Sequence, residues 1–550
     1  MKRVLWFWCV CAAALFAPCV ARSQTIVFPE PQWFREVIKR PASPGQLPAP
    51  EHLRDYVVDS KLRLTLEQAI QVALANNTDL HVDEISYQNA RYAILRAYAP
   101  FDPIFASTAN AQRSTSPQAT QLGGAQTLSS LTQSVDANYN QFFQTGTNFS
   151  VDLNSSRFAS NSIFNTFNPS VSSGLTFTLT QSLLRNRGLY INRAPILIAR
   201  LGYRQSRATL QQQINDVILN VITQYWNVVQ ARENLGVFQK SLEQAQATYD
   251  FNKKQLELGA ISPLDIYRPE ADVAARRVQV IQSEYQVKQQ EDALRRLLGA
   301  DLDATVSVMD LDLIEPAEPS GELFSINAEQ AIERALANRP EFESFRQQLA
   351  IDDVNLRLAH NEMQPSLNLQ AFYASNGLGG NQLDTSVSPP VVISQGGLGA
   401  AFSQVGAFDF PSYGLTLRLS LPLRNRQAEA DIATDQNRKL TDLYGVRGVE
   451  QSIRLESKNA VHQLELSKLT LAAAKVQRDL SQKNLEAEQR KYELGTETIF
   501  FVLDAQTQLA NAEGNVVQAE IAYLIALAQV DHAMGAALDK HHVVVSDSMH

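Results

Sequence analysis

The chain has 550 residues, a formal net charge of −9 and 19% charged residues, below the ~25% typical of soluble proteins. The acidic balance leaves no basic face for phosphates, so no nucleic-acid partner is expected. Apart from Cys9, Cys11 and Cys19 there is no cysteine. After residue 21 no run reaches the ~18 uninterrupted apolar residues of a membrane-crossing helix.

The chain opens on Lys2-Arg3, an apolar run over 4–16 and small residues at Val20-Ala21, which reads as a secretory signal peptide over 1–21. Its removal would take two positive charges and leave −11. Pro18 before Cys19 argues against lipid attachment there. Residues 22–60, with Pro29, Pro31, Pro41, Pro44, Pro48 and Pro50, read as an extended surface arm or linker.

Two halves with one plan follow, 61–320 and 321–537. Glu67-Gln68-Ala69-Ile70 and Ala73-Leu74-Ala75-Asn76 recur 262 residues later at Glu329 and Ala335, and Leu184-Arg185-Asn186-Arg187 recurs at Leu423. In the first half the sequence predicts a helix over 66–99, stopped by Pro100 and Pro103. A charge-poor insert over 103–184 comes next, and then a helix over 192–258. Its apolar stripe at Leu210, Ile214, Val217, Val221, Tyr225 and Val228 has coiled-coil spacing. That helix is about 67 residues or roughly 100 Å long, more than a compact domain can hold. Gly259 turns the chain into a helix over 262–298. The second half repeats the plan with helices over 327–362, 425–494 and 498–534, an insert over 365–423 and a turn at Gly495. The two shorter helices of each half, laid end to end, match the long one in length.

The first insert carries only Arg113, Asp136, Asp152 and Arg157, and residues 363–417 only Asp384 and Asp409. Phe149, Val151 and Leu153 alternate with Ser150 and Asp152; Leu175, Phe177 and Leu179 with threonines; Leu367 and Leu369, and Leu415 to Leu419, behave likewise. Apolar outside and small polar inside is the pattern of transmembrane β-barrel strands. The expectation is two strands per half, four per protomer, with an extra pair around 134–144 and 147–157 left open. Four strands leave unpaired edges that lipid does not tolerate, so several chains must close one barrel; three would make twelve strands. The loops are expected at 114–130 and 377–406. The fold class is thus a mixed α and β membrane protein, a β-barrel continuous with a long coiled-coil barrel and duplicated internally, ending in a polar tail over 538–550.

No catalytic constellation stands out, so no enzyme activity is expected and no cofactor or metal is implied. His541-His542 lies in the tail without further ligands. The glycine runs at Gly377 and Gly396 are not placed between a strand and a helix as a phosphate loop would be.

With Leu64-Thr65-Leu66-Glu67-Gln68-Ala69-Ile70, Tyr225-Trp226-Asn227, Gln181-Ser182-Leu183-Leu184, and Tyr492-Glu493-Leu494-Gly495-Thr496 before Val502-Leu503-Asp504-Ala505-Gln506, the chain resembles the TolC-like outer membrane efflux proteins over about 61–537. The resemblance implies a homotrimer in the outer membrane of a Gram-negative cell, with a twelve-stranded barrel and a helical tunnel in the periplasm. It further implies a passive, gated exit duct for drugs, toxic compounds or secreted products, coupled to a periplasmic adaptor and an inner-membrane transporter. The competing function is a membrane-anchored structural coiled coil or adhesin.

By the same resemblance Asp265 and Asp504 occupy aspartate positions of the periplasmic gate, Tyr492 a gate tyrosine position, and Gly259 and Gly495 the adaptor-docking tips. Phe501 stands where a second lumen aspartate is expected, Leu264 where a threonine is, and Glu497 where a linking arginine is. Phe501 is therefore expected to form an apolar constriction beside a ring of Asp504. Asp265, just after Pro263, equally suits helix initiation. Tyr492, at heptad multiples from Leu464, Leu471 and Leu485, suits core packing better than a gate.

Overall fold

The structure is a computed structural model; it describes residues 49–118, 125–259, 261–319, 323–387 and 390–543. The expected signal peptide and the arm up to residue 48 lie outside the described residues. In chain order the elements are β1 (Val57–Val58), β2 (Lys61–Leu64), α1 (Leu66–Asn76), α2 (Thr78–Tyr98), β3 (Ile104–Pro117), β4 (Thr127–Phe142), β5 (Thr147–Ser160), β6 (Phe167–Ser182), α3 (Leu189–Glu257), α4 (Tyr267–Leu297) and β7 (Asp310–Leu313). The second half continues with α5 (Ala328–Asn338), α6 (Pro340–Glu362), β8 (Ser366–Asp384), β9 (Val391–Ser394), α7 (Leu398–Ala407), β10 (Phe410–Ser420), α8 (Arg426–Glu493), α9 (Ile499–Ala533) and α10 (Ala537–Lys540). Apart from α7 and α10, helices and long strands therefore follow the same order in both halves.

The long helices α3 and α8 have 69 and 68 residues, about 100 Å each at 1.5 Å per residue. Along α3 lie α2 and α4; along α8 lie α6 and α9; α3 also packs on α6 and α9, which joins the halves. The expected single helices over 66–99 and 327–362 are each broken. Asn77 takes an extended conformation and its side chain accepts from the Leu80 N–H, capping α2. In the second half Pro340, which has no N–H to give, starts α6 after an extended Arg339.

The arm does not stay on the surface at its end. Leu53, Leu62 and Leu64 are fully buried, and β1, β2 and β7 form a small sheet in which β2 and β7 run parallel, Leu62 opposite Leu311. This sheet, α1 and the middle of α3 build the main core around Ile218, Val221 and Tyr225. The Tyr225 hydroxyl donates to the Leu64 carbonyl at 3.3 Å and accepts from the Glu315 N–H at 3.4 Å. Burial pushes its pKa up to about 12. The start of the tail is likewise tied down, since His541 meets Glu67 at 2.8 Å.

The inserts pair into one antiparallel sheet in the order β10-β8-β6-β5-β4-β3, with β9 added on β8. The four-strand expectation is corrected here: among the described residues the first insert supplies four strands, including the hairpin β4–β5, and the sheet has six in its main path. Three copies of six strands would make eighteen, not twelve. β3 was hidden because its faces, Phe105, Ser107, Ala109 and Ala111 against Ala106, Thr108 and Asn110, barely differ in polarity. Register puts Phe149, Leu179, Ala371 and Leu415 in one row, and Asp152, Thr176 and Ala374 in a row of the opposite face. One face is thus apolar and the other lined mostly by small polar residues. No described helix is long and apolar enough to cross a membrane.

The loop expected over 377–406 is mostly regular structure. Gly377 to Gly380 belong to β8, and Gly396-Gly397 follow β9 and open α7. The second run thus has the strand-to-helix setting that its sequence did not reveal. Its backbone is nevertheless occupied: the Gly397 carbonyl accepts from the Ala400 and Ala401 N–H groups, and it lies 2.3 Å from where a Cβ of Gly379 would stand.

Candidate gate at the helix turns

Two helical hairpins, α3–α4 and α8–α9, end side by side. Their turns rest on Gly259 at φ +74° and Gly495 at φ +72°, a left-handed conformation that a Cβ disfavours. At the second turn the Gly495 N–H donates to the Tyr492 carbonyl and the Thr496 N–H to the Lys491 carbonyl, the paired bonds of a Schellman cap. Beyond the turns Leu258, Leu264 and Leu494 are 82%, 75% and 75% exposed, so the tips are apolar although no described element covers them.

Behind the tips an apolar plug of Leu485, Val502, Ala505 and Leu509 holds α8 to α9, with Tyr492 and Ile499 packed on it. Between the hairpins, by contrast, polar side chains bond to one another. The Tyr492 hydroxyl donates to Asn252 Oδ1 at 2.7 Å, Gln506 Nε2 to Thr248 Oγ1 at 3.0 Å, and Arg276 Nη2 to Thr507 Oγ1 at 2.9 Å. Arg276 is buried and held by Asp272 at 2.8 Å and by Ser241. Further from the tips, Lys240 pairs with Glu513 at 2.8 Å.

The four residues singled out from sequence fall into two pairs. Tyr492 sits on the seam, half-buried; burial raises the pKa of its hydroxyl, and the nearby Asp265 carboxylate raises it further. Asp265 itself is exposed and occupied locally, accepting from the Ser262 N–H at 3.3 Å while its own N–H donates to Ser262 O at 2.9 Å. Phe501 and Asp504 lie instead on the open side of α9. Phe501 stands edge-on to Phe500 at 5.3 Å, and the Arg268 guanidinium covers the Phe500 ring at 4.4 Å. Asp504 accepts from Gln508 Nε2 at 2.7 Å. Phe501, Asp504, Gln508, Asn511, Asn515 and Gln518 are all exposed; three- and four-residue spacing makes them one uncharged stripe broken only by Asp504.

Asn252, Thr248, Arg276, Gln506 and Thr507 were not found by sequence reasoning. A signal existed: Ser241, Thr248 and Asn252 recur at intervals of seven and four inside the buried stripe of α3, polar residues where packing asks for apolar ones. A second polar junction lies far from the tips. His532 of α9 meets Asp216 of α3 at 2.7 Å and Glu456 of α8 at 3.5 Å, and Glu456 is bound by Arg339 at 2.5 Å. Burial opposes the imidazolium, but the bonds to Asp216 and Glu456 outweigh it and lift the pKa to about 9. Among the described residues no group of three or more His, Cys, Asp or Glu side chains is placed to hold a metal ion; in this junction the imidazole and carboxylates bond to one another and to Arg339.

The sequence matches the family described as outer membrane efflux protein over residues 69–300 and 331–536. It is similar to the pyoverdine export outer membrane protein OpmQ of Pseudomonas putida, 24% identical over 330 residues, which span 58% of this chain and 61% of that protein. It is also similar to the outer membrane protein TolC of Vibrio cholerae, 22% identical over 348 residues, spanning 61% of this chain and 70% of that one. Among solved structures the fold is like that of CusC, described as forming a transmembrane channel, with a TM-score of 0.61 at 17% identity over 90% of this chain and 98% of that chain.

Proposed function

The chain belongs to the outer membrane efflux protein family, and from that premise we propose that it is the outer membrane duct of a tripartite export system, conducting passively and gated at the helix tips. The observation that carries this reading is the open-edged, two-faced sheet continuous with the hairpins. β3 is exposed along its whole length and β10 along nearly all of it, because among the described residues each lacks a neighbour on one side. Every pairing along the path is antiparallel, so β3 and β10 run in opposite directions. β10 of one copy can therefore take β3 of the next and continue the same pattern. Lipid leaves closure as the only stable outcome for such edges.

Helical surfaces support the same ring. Val278, Ile281 and Tyr285 on α4, and Leu466, Leu469 and Val476 on α8, are exposed apolar stripes on opposite flanks of the protomer, suited to meet between copies. A trimer would place eighteen strands around a lumen lined by Ser, Thr and Asn, a number at which barrels hold an aqueous channel. The exposed leucines at the Gly259 and Gly495 tips suit docking by a periplasmic adaptor, which links the duct to an inner-membrane transporter. Phe501 and Asp504 form the constriction on the lumen side of α9. The protein purified from outer membranes and inserted in planar bilayers should conduct as a trimer by native mass measurement; a monomer, or a bilayer without conductance, would overturn the reading and favour a structural anchor.

A further inference from the structure

The second insert contains a segment that the barrel reading does not account for. β8 has 19 residues but β10 only 11. β10 ends its pairing at Asn376 and β9 resumes it at Gln382, so among the described residues one edge of β8 has no strand between them. α7 fills this gap. Gln404 of α7 accepts from the Leu378 N–H at 2.9 Å and donates to the Leu378 carbonyl at 3.1 Å, so one side-chain amide satisfies both backbone groups that a strand would have paired. The buried Ser375 hydroxyl donates to the Val405 carbonyl at 2.9 Å.

The side of the sheet that α7 takes is fixed by the glycines beneath it. A Cβ on Gly377 would stand 2.1 Å from the Ala401 carbonyl oxygen, and one on Gly379 would stand 2.3 Å from that of Gly397. Gly377 and Gly379 alternate with Leu378 and share the face of Leu369, Ala371 and Tyr373, the apolar face. Val171 and Ser173 of β6, on that face, are buried as well. α7 therefore lies on the outside of the wall, at the end of β8 remote from the long helices. Its inner side, Ala401 and Val405, is buried against the sheet, while Leu398 and Phe408 are 52% and 43% exposed. Phe408 meets Tyr373 at 5.9 Å, which joins this surface to the apolar band, and no residue from Thr385 to Phe408 is charged.

We propose that α7 is a lipid-embedded part of the barrel wall: its inner side stands in for the missing length of β10, and its outer side lies against the acyl chains of the outer leaflet. This rests on the apolar sheet face being the membrane face. A backbone gap at that depth has no water to satisfy it, which gives the Gln404 amide its role, and an uncharged helix over the gap keeps the apolar band continuous.

Single spin-labelled cysteines at Ala400 on α7 and Leu417 in the apolar band, with the native cysteines replaced, test it in the full protein reconstituted in phosphatidylethanolamine–phosphatidylglycerol vesicles. Collision with oxygen and with a water-soluble nickel chelate is read at both sites. The expected result is a high oxygen-to-chelate ratio at Ala400→Cys, matching that at Leu417→Cys, and loss of that match when Gly377→Val unseats the helix. A chelate-accessible Ala400→Cys beside a lipid-exposed Leu417→Cys overturns the proposal, placing α7 in water. Low collision with both reagents at Ala400→Cys also overturns it, placing α7 against another protein surface. A chelate-accessible Leu417→Cys instead overturns the membrane assignment of the sheet face itself.

Discussion

The middle of the helical body and its tips are made of the same four helices, α3, α4, α8 and α9, yet they are held together by different chemistry. Around Tyr225, large side chains such as Ile218 and Leu294 are fully buried, and each fully buried residue of this size contributes about 1.5–3 kcal/mol relative to exposure. Between the hairpins near the tips there are hydrogen bonds to Asn252, Thr248 and Thr507; the two neutral ones are worth about 0.5–1.5 kcal/mol each and the one from Arg276 about 1.5–3 kcal/mol net, because water can replace them. A seam whose bonds water can replace opens at low cost; an apolar core cannot. The same rods can thus be fixed at one level and movable at another.

The largest effect is expected where the comparison is strongest. Tyr225→Ala removes a fully buried ring and both bonds of its hydroxyl, and should cost about 3–5 kcal/mol, read as a lower midpoint in chemical unfolding. A loss as small as that of a tip variant would erase the distinction between the two levels. The His532 junction ranks next. Its folded pKa, about 9, lies above the ordinary 6.5, so the charged imidazolium stabilises fully below about pH 6.5 and that contribution disappears as pH rises through about 9. Unfolding midpoints should fall over this window in the native protein and change less in His532→Gln; equal pH dependence in both would remove His532 from the account.

At the seam, Asn252→Ala should cost about 0.5–1.5 kcal/mol while raising single-channel conductance, the opposite ordering from Tyr225→Ala. If Phe501 narrows the duct as proposed, Phe501→Ala should raise both conductance and antibiotic permeation without a comparable loss of stability; unchanged permeation would leave Phe501 a surface residue. Asp265→Ala should be the mildest, within about 0.5 kcal/mol, since its carboxylate serves an exposed turn.

The rods were legible because their signals are long. An apolar stripe running through α3, and a repeated Leu-Gly turn at Gly259 and Gly495, add up over many residues. The short breaks at Asn77 and Pro340 were not, since one cap or one missing N–H decides each and the flanking Ala, Leu and Glu content favours helix on both sides. Strands β5, β6, β8 and β10 announced themselves by alternation, whereas β3 alternates small with small. Gly377 and Gly379 looked like loop residues, and their purpose is visible only with Ala401 and Gly397 beside them. At the tips, Gly259, Gly495 and Tyr492 could be read from the chain. Arg276 could not, and Asn252 shows only as a polar residue in a buried stripe, because such a residue has a meaning only when its partner is known, and Thr507 and Tyr492 lie more than 200 positions away.

The claim that the tips form a polar, openable seam is tested most directly by the single-channel conductance of Tyr492→Phe, which deletes one hydroxyl and leaves the packing ring in place. A polar, openable seam requires a conductance well above that of the native protein at a nearly unchanged unfolding midpoint. Native conductance in that variant would contradict it.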